Sequence, residues 1–455
     1  NLQYKMPGLV VNETLQSVKV DDKIPVFKIN GKPSSLTQFL SLDPQDVLRI
    51  EYQDNPDVRY GNRQVINMLL NLFIGISVGV NVVIARYIGE NKKERIKDTV
   101  NTAILTAIII GLFLLVLGIL TSRYILESIN TPENVINQAV LYLRIYFLGA
   151  PFIMIYNFGA SILRSIGDTK RPFYSLALAG IINTVLNLIL VINFKMGVAG
   201  VAIGTVVSNI VSASMIIYFL THEEGFIKVS LKSLLISKEE LKLMLKIGLP
   251  AGLQSVVFSI ANVFIQASLN GYGSAAVAGS SITLNFEYYA YFIIAAFTSA
   301  VVTFTSQNFG AKQYDRCRKI YKLTFLLSSL VTLIVSLFFV FFRESFISIF
   351  TSEPEAAKFA SIRMLYLLSL YILVSVYEVT GGALRGIGYS LTPAIITVFG
   401  TCVLRLVWIA TISRWHTEFE VLMSVYPVSW TVTSLFVFIS YLIIRNKVFK
   451  EESIA

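Results

Sequence analysis

Long apolar stretches, each broken by few or no charged residues, follow one another along most of this chain. They fall at about 65–88, 100–121, 138–160, 172–192, 199–220, 250–270, 280–304, 322–342, 362–383, 394–413 and 424–444. About 20 apolar residues are enough for an α-helix to cross the ~30 Å hydrocarbon core of a bilayer. The pattern predicts an all-α polytopic membrane protein with eleven spans. A β-barrel is excluded, because barrel strands are short and alternate in polarity.

Residues 1–63 follow another rule. Val18–Val20, Ile24–Ile29 and Val47–Tyr52 read as short strands, with Asn30-Gly31 as a turn, giving a small α+β soluble segment. Lys32, Asp43, Asp46 and Arg49 would each cost about 2.5–3.5 kcal/mol near a bilayer centre. The pattern therefore divides the chain into five parts. These are the soluble segment 1–63, a first lobe of five spans at 64–220, a connector at 221–249, a second lobe of six spans at 250–445, and a tail at 446–455. The connector holds Lys238-Glu239-Glu240-Leu241-Lys242-Leu243-Met244-Leu245-Lys246, which reads as an amphipathic helix lying along the membrane surface.

The two lobes are copies of one another. Leu163-Arg164-Ser165-Ile166-Gly167 with Pro172 recurs 221 residues later as Leu384-Arg385-Gly386-Ile387-Gly388 with Pro393. Gly89 and Arg95 recur as Gly310 and Arg316, and Pro132-Glu133 as Pro354-Glu355 with one residue of slip. Such parallel repeats are a common plan for membrane transporters. The first copy lacks a counterpart of the span at 250–270, because its equivalent near 29–49 is polar.

Composition agrees with the spans: 55% of residues are hydrophobic and 15% charged, against roughly 25% charged in soluble domains. The net charge of +10 does not point to nucleic acid. Lys and Arg concentrate in alternate loops at 86–99, 161–171, 221–248, 306–321 and 384–393 and in the C-terminal tail. An excess of Lys and Arg marks cytoplasmic loops, which places the C-terminus inside. Eleven spans then leave residues 1–63 outside, without a visible signal peptide. Cys317 and Cys402 are placed too differently to form a disulfide, and His222 and His416 lie at span ends on opposite faces, so no metal site is expected. No nucleophile or acid–base pair has suitable spacing for an enzyme.

Only Glu287 and Glu378 are acids well inside these spans. Ionisable groups within a bilayer are expensive, and carry ions or protons, face a cavity, or pair with another charge. Both suit cation recognition and proton coupling; the competing role is to pin helices together. Arg405 lies mid-span and needs a partner, for which Glu378 or Glu287 are the available carboxylates. Tyr377-Glu378 corresponds to Tyr156-Asn157 in the first copy, so Asn157 is a neutral partner candidate at an interface between repeats. Gln254, Asn262, Asn183 and Tyr288 are weaker candidates for lining a cavity. Helix–helix hydrogen bonding accounts for such asparagines and glutamines equally well. The ring cluster Phe286, Tyr288, Tyr289 and Tyr291 offers cation–π faces or interfacial anchors. The glycine turns at 164–168 and 385–388 lack the ending of a phosphate loop, and their arginines read as interface anchors.

Several stretches resemble the MATE (multidrug and toxic compound extrusion) family over about 65–445. They are Asn71-Leu72-Phe73-Ile74-Gly75, Ala85-Arg86-Tyr87-Ile88-Gly89, Leu163-Arg164 through Pro172, Gly197-Val198-Ala199-Gly200-Val201-Ala202, Gln307-Asn308-Phe309-Gly310-Ala311 and Ala383-Leu384-Arg385-Gly386. The resemblance implies a two-lobe bundle of twelve helices that exports cationic or amphipathic compounds in exchange for H⁺ or Na⁺, with no cofactor. It implies an inner-membrane monomer whose partners are small molecules and lipid. Two family positions for a coupling acid have no equivalent: the opening helix is missing, and 250–270 contains no acid. Residues 1–63 resemble part of the plug of TonB-dependent receptors. That likeness rests on Ile29-Asn30-Gly31-Lys32-Pro33, Leu42-Asp43-Pro44-Gln45-Asp46-Val47, Ile50-Glu51, Arg59-Tyr60-Gly61-Asn62 and Val65-Ile66-Asn67. The chain opens on Asn1, which reads as a fragment. A joining of two sequences around 62–67, or a fusion that replaced the first helix, accounts for the mismatch. Lipid-linked precursor flipping and an inactive chimera are the alternative functional readings.

Overall fold

The computed structural model describes residues 68–128, 135–230 and 234–450 in full, and elsewhere only the backbone of the strands and helix ends below. Near the N-terminus, β1 (Leu9–Asn12) pairs antiparallel with β2 (Ser17–Val20), and β3 (Phe27–Ile29) with β4 (Lys32–Ser34). Ile29 lies opposite Lys32, and the turn expected at Asn30-Gly31 lies outside the described residues. The strand expected at Val47–Tyr52 lies outside the described residues.

Helices make up the rest. In the first lobe these are α1 (Pro56–Gly89), α2 (Lys93–Ser128), α3 (Glu133–Leu148), α4 (Ala150–Ser165), α5 (Lys170–Asn193) and α6 (Gly197–Thr221). In the second they are α7 (Lys238–Asn270), α8 (Ser274–Gly310), α9 (Tyr314–Phe341), α10 (Pro354–Leu368), α11 (Ile372–Gly386), α12 (Leu391–Trp415) and α13 (Phe419–Ile454). Nine helices among the described residues are long and apolar enough to cross a membrane, and the bent pairs α3–α4 and α10–α11 bring the spans to eleven.

The 221-residue offset carries through to geometry. Adding it to the starts of α2, α3 and α5 gives the starts of α9, α10 and α12. The bent pairs turn by 41° and 44°. The left-handed turn residues Asn91 and Lys312 recur with φ of 57° and 56°, and Gly167 and Gly388 with 88° and 94°. Each lobe encloses its own apolar core. Among the described residues no helix precedes α1, so α7 alone has no counterpart in the first lobe.

The lobes meet chiefly where α7 lies along α1. Gly75 and Gly79 face Gly248 and Gly252, two small-xxx-small pairs that let helix backbones touch. A Cβ on Gly75 would fall 2.3 Å from the Gly252 Cα, and one on Gly252 2.1 Å from the Leu72 carbonyl oxygen. A second crossing joins α1 to α8, where Gly89 abuts the Gln307 carbonyl and Gly310 that of Arg86.

The connector departs from expectation. Residues 238–249 do not lie along the surface but form the first turns of α7, which continues through Pro250. Ser237 caps its start through the Glu240 amide, and the Glu240 carboxylate is fully buried against the first lobe. It accepts hydrogen bonds from Arg95 (2.8 Å), Thr99 (3.0 Å) and Tyr87 (3.3 Å). An acid so satisfied belongs inside, which is why the segment dives into the bundle. Similarly α1 begins at Pro56, so residues 56–63 are helical and continuous with the first span.

Gly252→Ala is expected to force α1 and α7 apart at a cost of about 1–3 kcal/mol, lowering the thermal unfolding midpoint of the purified protein. Gly180→Ala, with nothing within 4 Å of the new methyl, is the control and should leave the midpoint unchanged or raised.

Candidate functional site

The helices of the second lobe form most of the wall of a cavity of about 340 Å³. Its wall comes from α7 (Gln254, Phe258, Asn262), α8 (Glu287, Tyr288, Tyr291), α10 (Arg363), α11 (Tyr377, Glu378), α12 (Arg405) and α13 (Tyr426, Trp430). Asn71 on α1 contributes from the first lobe. Two irregularities shape it. The 44° bend between α10 and α11 passes Tyr371, itself part of the wall. A π-helical turn at Val398–Val403 precedes Arg405, a feature frequent at functional sites.

Six of the eight residues singled out from sequence converge here: Glu287, Glu378, Arg405, Gln254, Asn262 and Tyr288. Asn157 and Asn183 do not. The Asn157 amide donates to the Ile153 carbonyl of its own helix, and Asn183 reaches Thr205 and Ser208 between α5 and α6. Apart from Asn71 the wall comes from the second lobe, and the repeat-related pair Asn157 and Glu378 does not meet in it. Of the ring cluster, Tyr288 and Tyr291 line the cavity, whereas Phe286 packs against Phe339, Phe346 and Phe350, and Tyr289 is exposed.

The pairing of charges differs from expectation. Glu287 accepts from Arg363 Nε at 2.8 Å, with side chains 12% and 4% exposed. Glu378 lies 3.9 Å from Arg385 Nη1, an ion pair beyond hydrogen-bonding distance, while Arg385 Nη2 donates to Gln254 at 3.0 Å. Arg385 is therefore buried in the lobe rather than anchored at the interface. Arg405 takes neither carboxylate. Its Nε donates to the Ser429 hydroxyl at 3.1 Å, and its guanidinium lies 4.5 Å from the Tyr426 ring centre and 5.3 Å from that of Phe258.

Sequence reasoning missed Arg363 and Arg385 because both sit at the ends of apolar stretches. The helices extend beyond those stretches, and the bundle draws the ends inward. The 221-residue match of Arg385 to Arg164 is the available signal, and it speaks to position in the chain, not to burial. No group of three or more potential metal ligands occurs among the described residues.

Replacing Glu287 by Gln should strand Arg363 without its carboxylate and cost about 3–5 kcal/mol, whereas removing both charges should cost markedly less. A double-mutant cycle on thermal unfolding checks this. Additive losses would show that the pair has no coupling.

Comparison with known proteins matches this architecture. The chain is similar to YoeA of Bacillus subtilis, named a probable multidrug resistance protein, with 28% identity over 74% of this chain and 75% of that protein. YpnP of the same organism, with a like name, is 29% identical over 66% of each chain. The multidrug export protein MepA of Staphylococcus saprophyticus is 24% identical over 64% of each. A crystal structure described as MATE in the bent conformation superposes with a TM-score of 0.80 at 22% identity, over 88% of this chain and 90% of that one. An outward-facing multidrug resistance MATE transporter gives 0.80 at 21% identity, over 86% and 91%. The MatE family model matches residues 61–189 and 250–411, more than half of the chain. With the repeat, the eleven spans and the fold in agreement, the chain belongs to the MatE family of membrane transporters.

Proposed function

We propose that the protein exports small amphipathic molecules in exchange for H⁺ or Na⁺, its two lobes opening by turns to either side of the membrane. The observation that carries this reading is a partly open cavity with polar groups in an apolar lobe, holding a carboxylate, Glu378, that its arginine touches only at 3.9 Å. The names of relatives such as YoeA and MepA, which refer to multidrug resistance and export, support it. The alternating excess of Lys and Arg supports basic loops and a C-terminus in the cytoplasm of a multi-pass inner-membrane protein, which we take to act as a monomer.

Glu378 is the coupling residue. Adding H⁺ or Na⁺ to it competes with Arg385, and movement of Arg385 is transmitted to α7 through Gln254. An ion drives transport only if it binds one conformation better than the other. Glu287, held directly by Arg363, orients α8 against α10 and has the lesser role. Contacts at the basic end must separate for the lobes to rock: the Glu240 cluster, and the Gln307 side-chain amide on the Ser165 carbonyl at 2.6 Å.

Glu378→Gln should lower ion-driven dye efflux from drug-sensitive cells by about 5–150-fold, the usual range for loss of coupling between two sites. Asn157→Ala should leave efflux near the wild-type rate. Unchanged efflux in Glu378→Gln, in Glu287→Gln and in the double variant would remove both acids from coupling.

A further inference from the structure

In and beside the cavity, guanidinium groups outnumber carboxylates, an imbalance that ion coupling does not use. Three guanidinium groups, those of Arg363, Arg385 and Arg405, serve a region with two carboxylates, Glu287 and Glu378. Each guanidinium carries five N–H donors and no acceptor. Two of the resulting donors, Arg385 Nε and Arg405 Nη2, are buried with no hydrogen-bond partner.

Arg405 is the more exceptional of the two. It is 1% exposed, lines the cavity, and has no ion pair among the described residues. One neutral hydroxyl, Ser429, and two ring faces hold it in place. Ring faces offset only part of what it costs to take such a charge out of water. The contacts that hold it also fix its orientation: the ring of Tyr426 lies against the guanidinium, and Nε is already committed. Nη2 is left without an acceptor, on a side chain that lines the cavity.

We propose that this cavity binds an amphipathic molecule through an anionic group, a carboxylate or a phosphate, which takes its hydrogen bonds from Arg405. The assignment rests on the export reading and names the charge of its substrate. It departs from the cationic substrate expected from the acids alone, since both acids already face an arginine. Tyr426, Phe258 and Trp430 supply apolar wall beside the anion position, which suits a ligand with a flat hydrophobic body. The cavity volume, about 340 Å³, limits the bound portion to a small molecule or the head of a larger one.

Trp430 in the wall provides an optical reporter. Energy transfer from tryptophan to dansyl-glycine, an anion, and to dansylcholine, a cation with the same ring, compares the two charges on purified protein in detergent. Dansyl-glycine should bind at least about tenfold tighter, equivalent to ~1.4 kcal/mol. Arg405→Gln should abolish that preference while leaving dansylcholine unaffected, and Arg405→Lys should restore part of it. Equal binding of the two probes by the wild type, tighter binding of the cation, or no binding of either overturns the proposal, with no variant needed. A preference that persists in a folded Arg405→Gln protein overturns the role of Arg405. Competition by farnesyl phosphate but not by naphthoate assigns the anion to a lipid-linked phosphate; the reverse assigns it to a free small carboxylate. Binding is read without transport, so loss of dye efflux with the anion preference intact would fault the export reading and leave this site standing.

Discussion

Backbone contact between α1 and α7 is the constraint on which the rest of the molecule depends. Within a bilayer, apolar side chains gain little by leaving lipid for one another, so helices associate where small residues allow close packing. Gly75, Gly79, Gly248 and Gly252 provide that surface, and it fixes α7 across the seam between the lobes. From there α7 reaches in two directions. Its first turns bury Glu240 against Arg95, Thr99 and Tyr87 of the first lobe. Its later turns bring Gln254, Phe258 and Asn262 to the second-lobe cavity. One helix therefore connects the basic-end clamp to the site, and a change at Gln254 acts on an element shared by both lobes.

The second constraint is charge. Glu287, Glu378, Arg363, Arg385 and Arg405 sit inside an apolar lobe, and their arrangement is confined to that lobe. At the repeat-related positions of the first lobe stand Ile66, Asn157, Tyr142, Arg164 and Thr184. Only the arginine of the turn, Arg164, is kept. The repeats thus share a shape, down to paired bends and left-handed turn residues, while differing in chemistry. Lobe architecture follows from apolar spacing and glycine placement, which both copies retain; the cavity follows from a handful of polar substitutions made in one of them.

That division explains how much could be read from the chain. Spans, repeat and family were legible, because hydropathy and glycine turns are local signals repeated many times. Glu287, Glu378 and Arg405 stood out because a charge amid apolar residues is conspicuous, and their convergence with Gln254, Asn262 and Tyr288 was borne by the fold. Their pairing was not legible. Arg363 and Arg385 lie where apolar stretches end, and hydropathy alone makes no distinction between a loop residue and the buried end of a longer helix. Residues 238–246 misled for the same reason, since three lysines four residues apart look like a surface face until Glu240 is seen buried between the lobes. Asn157 was favoured by symmetry, which the asymmetric chemistry of the two lobes breaks.

The proposed exchange of amphipathic anions for an ion rests on Glu378, which Arg385 meets only at 3.9 Å, and on one surplus guanidinium, that of Arg405. Inside-out vesicles carrying the purified protein, with an imposed H⁺ or Na⁺ gradient, test it most directly through uptake of the paired anionic and cationic dansyl probes. The expected result is gradient-dependent accumulation of the anion, lost on collapsing the gradient and in Glu378→Gln vesicles. Accumulation of the cation with the anion left outside would contradict it.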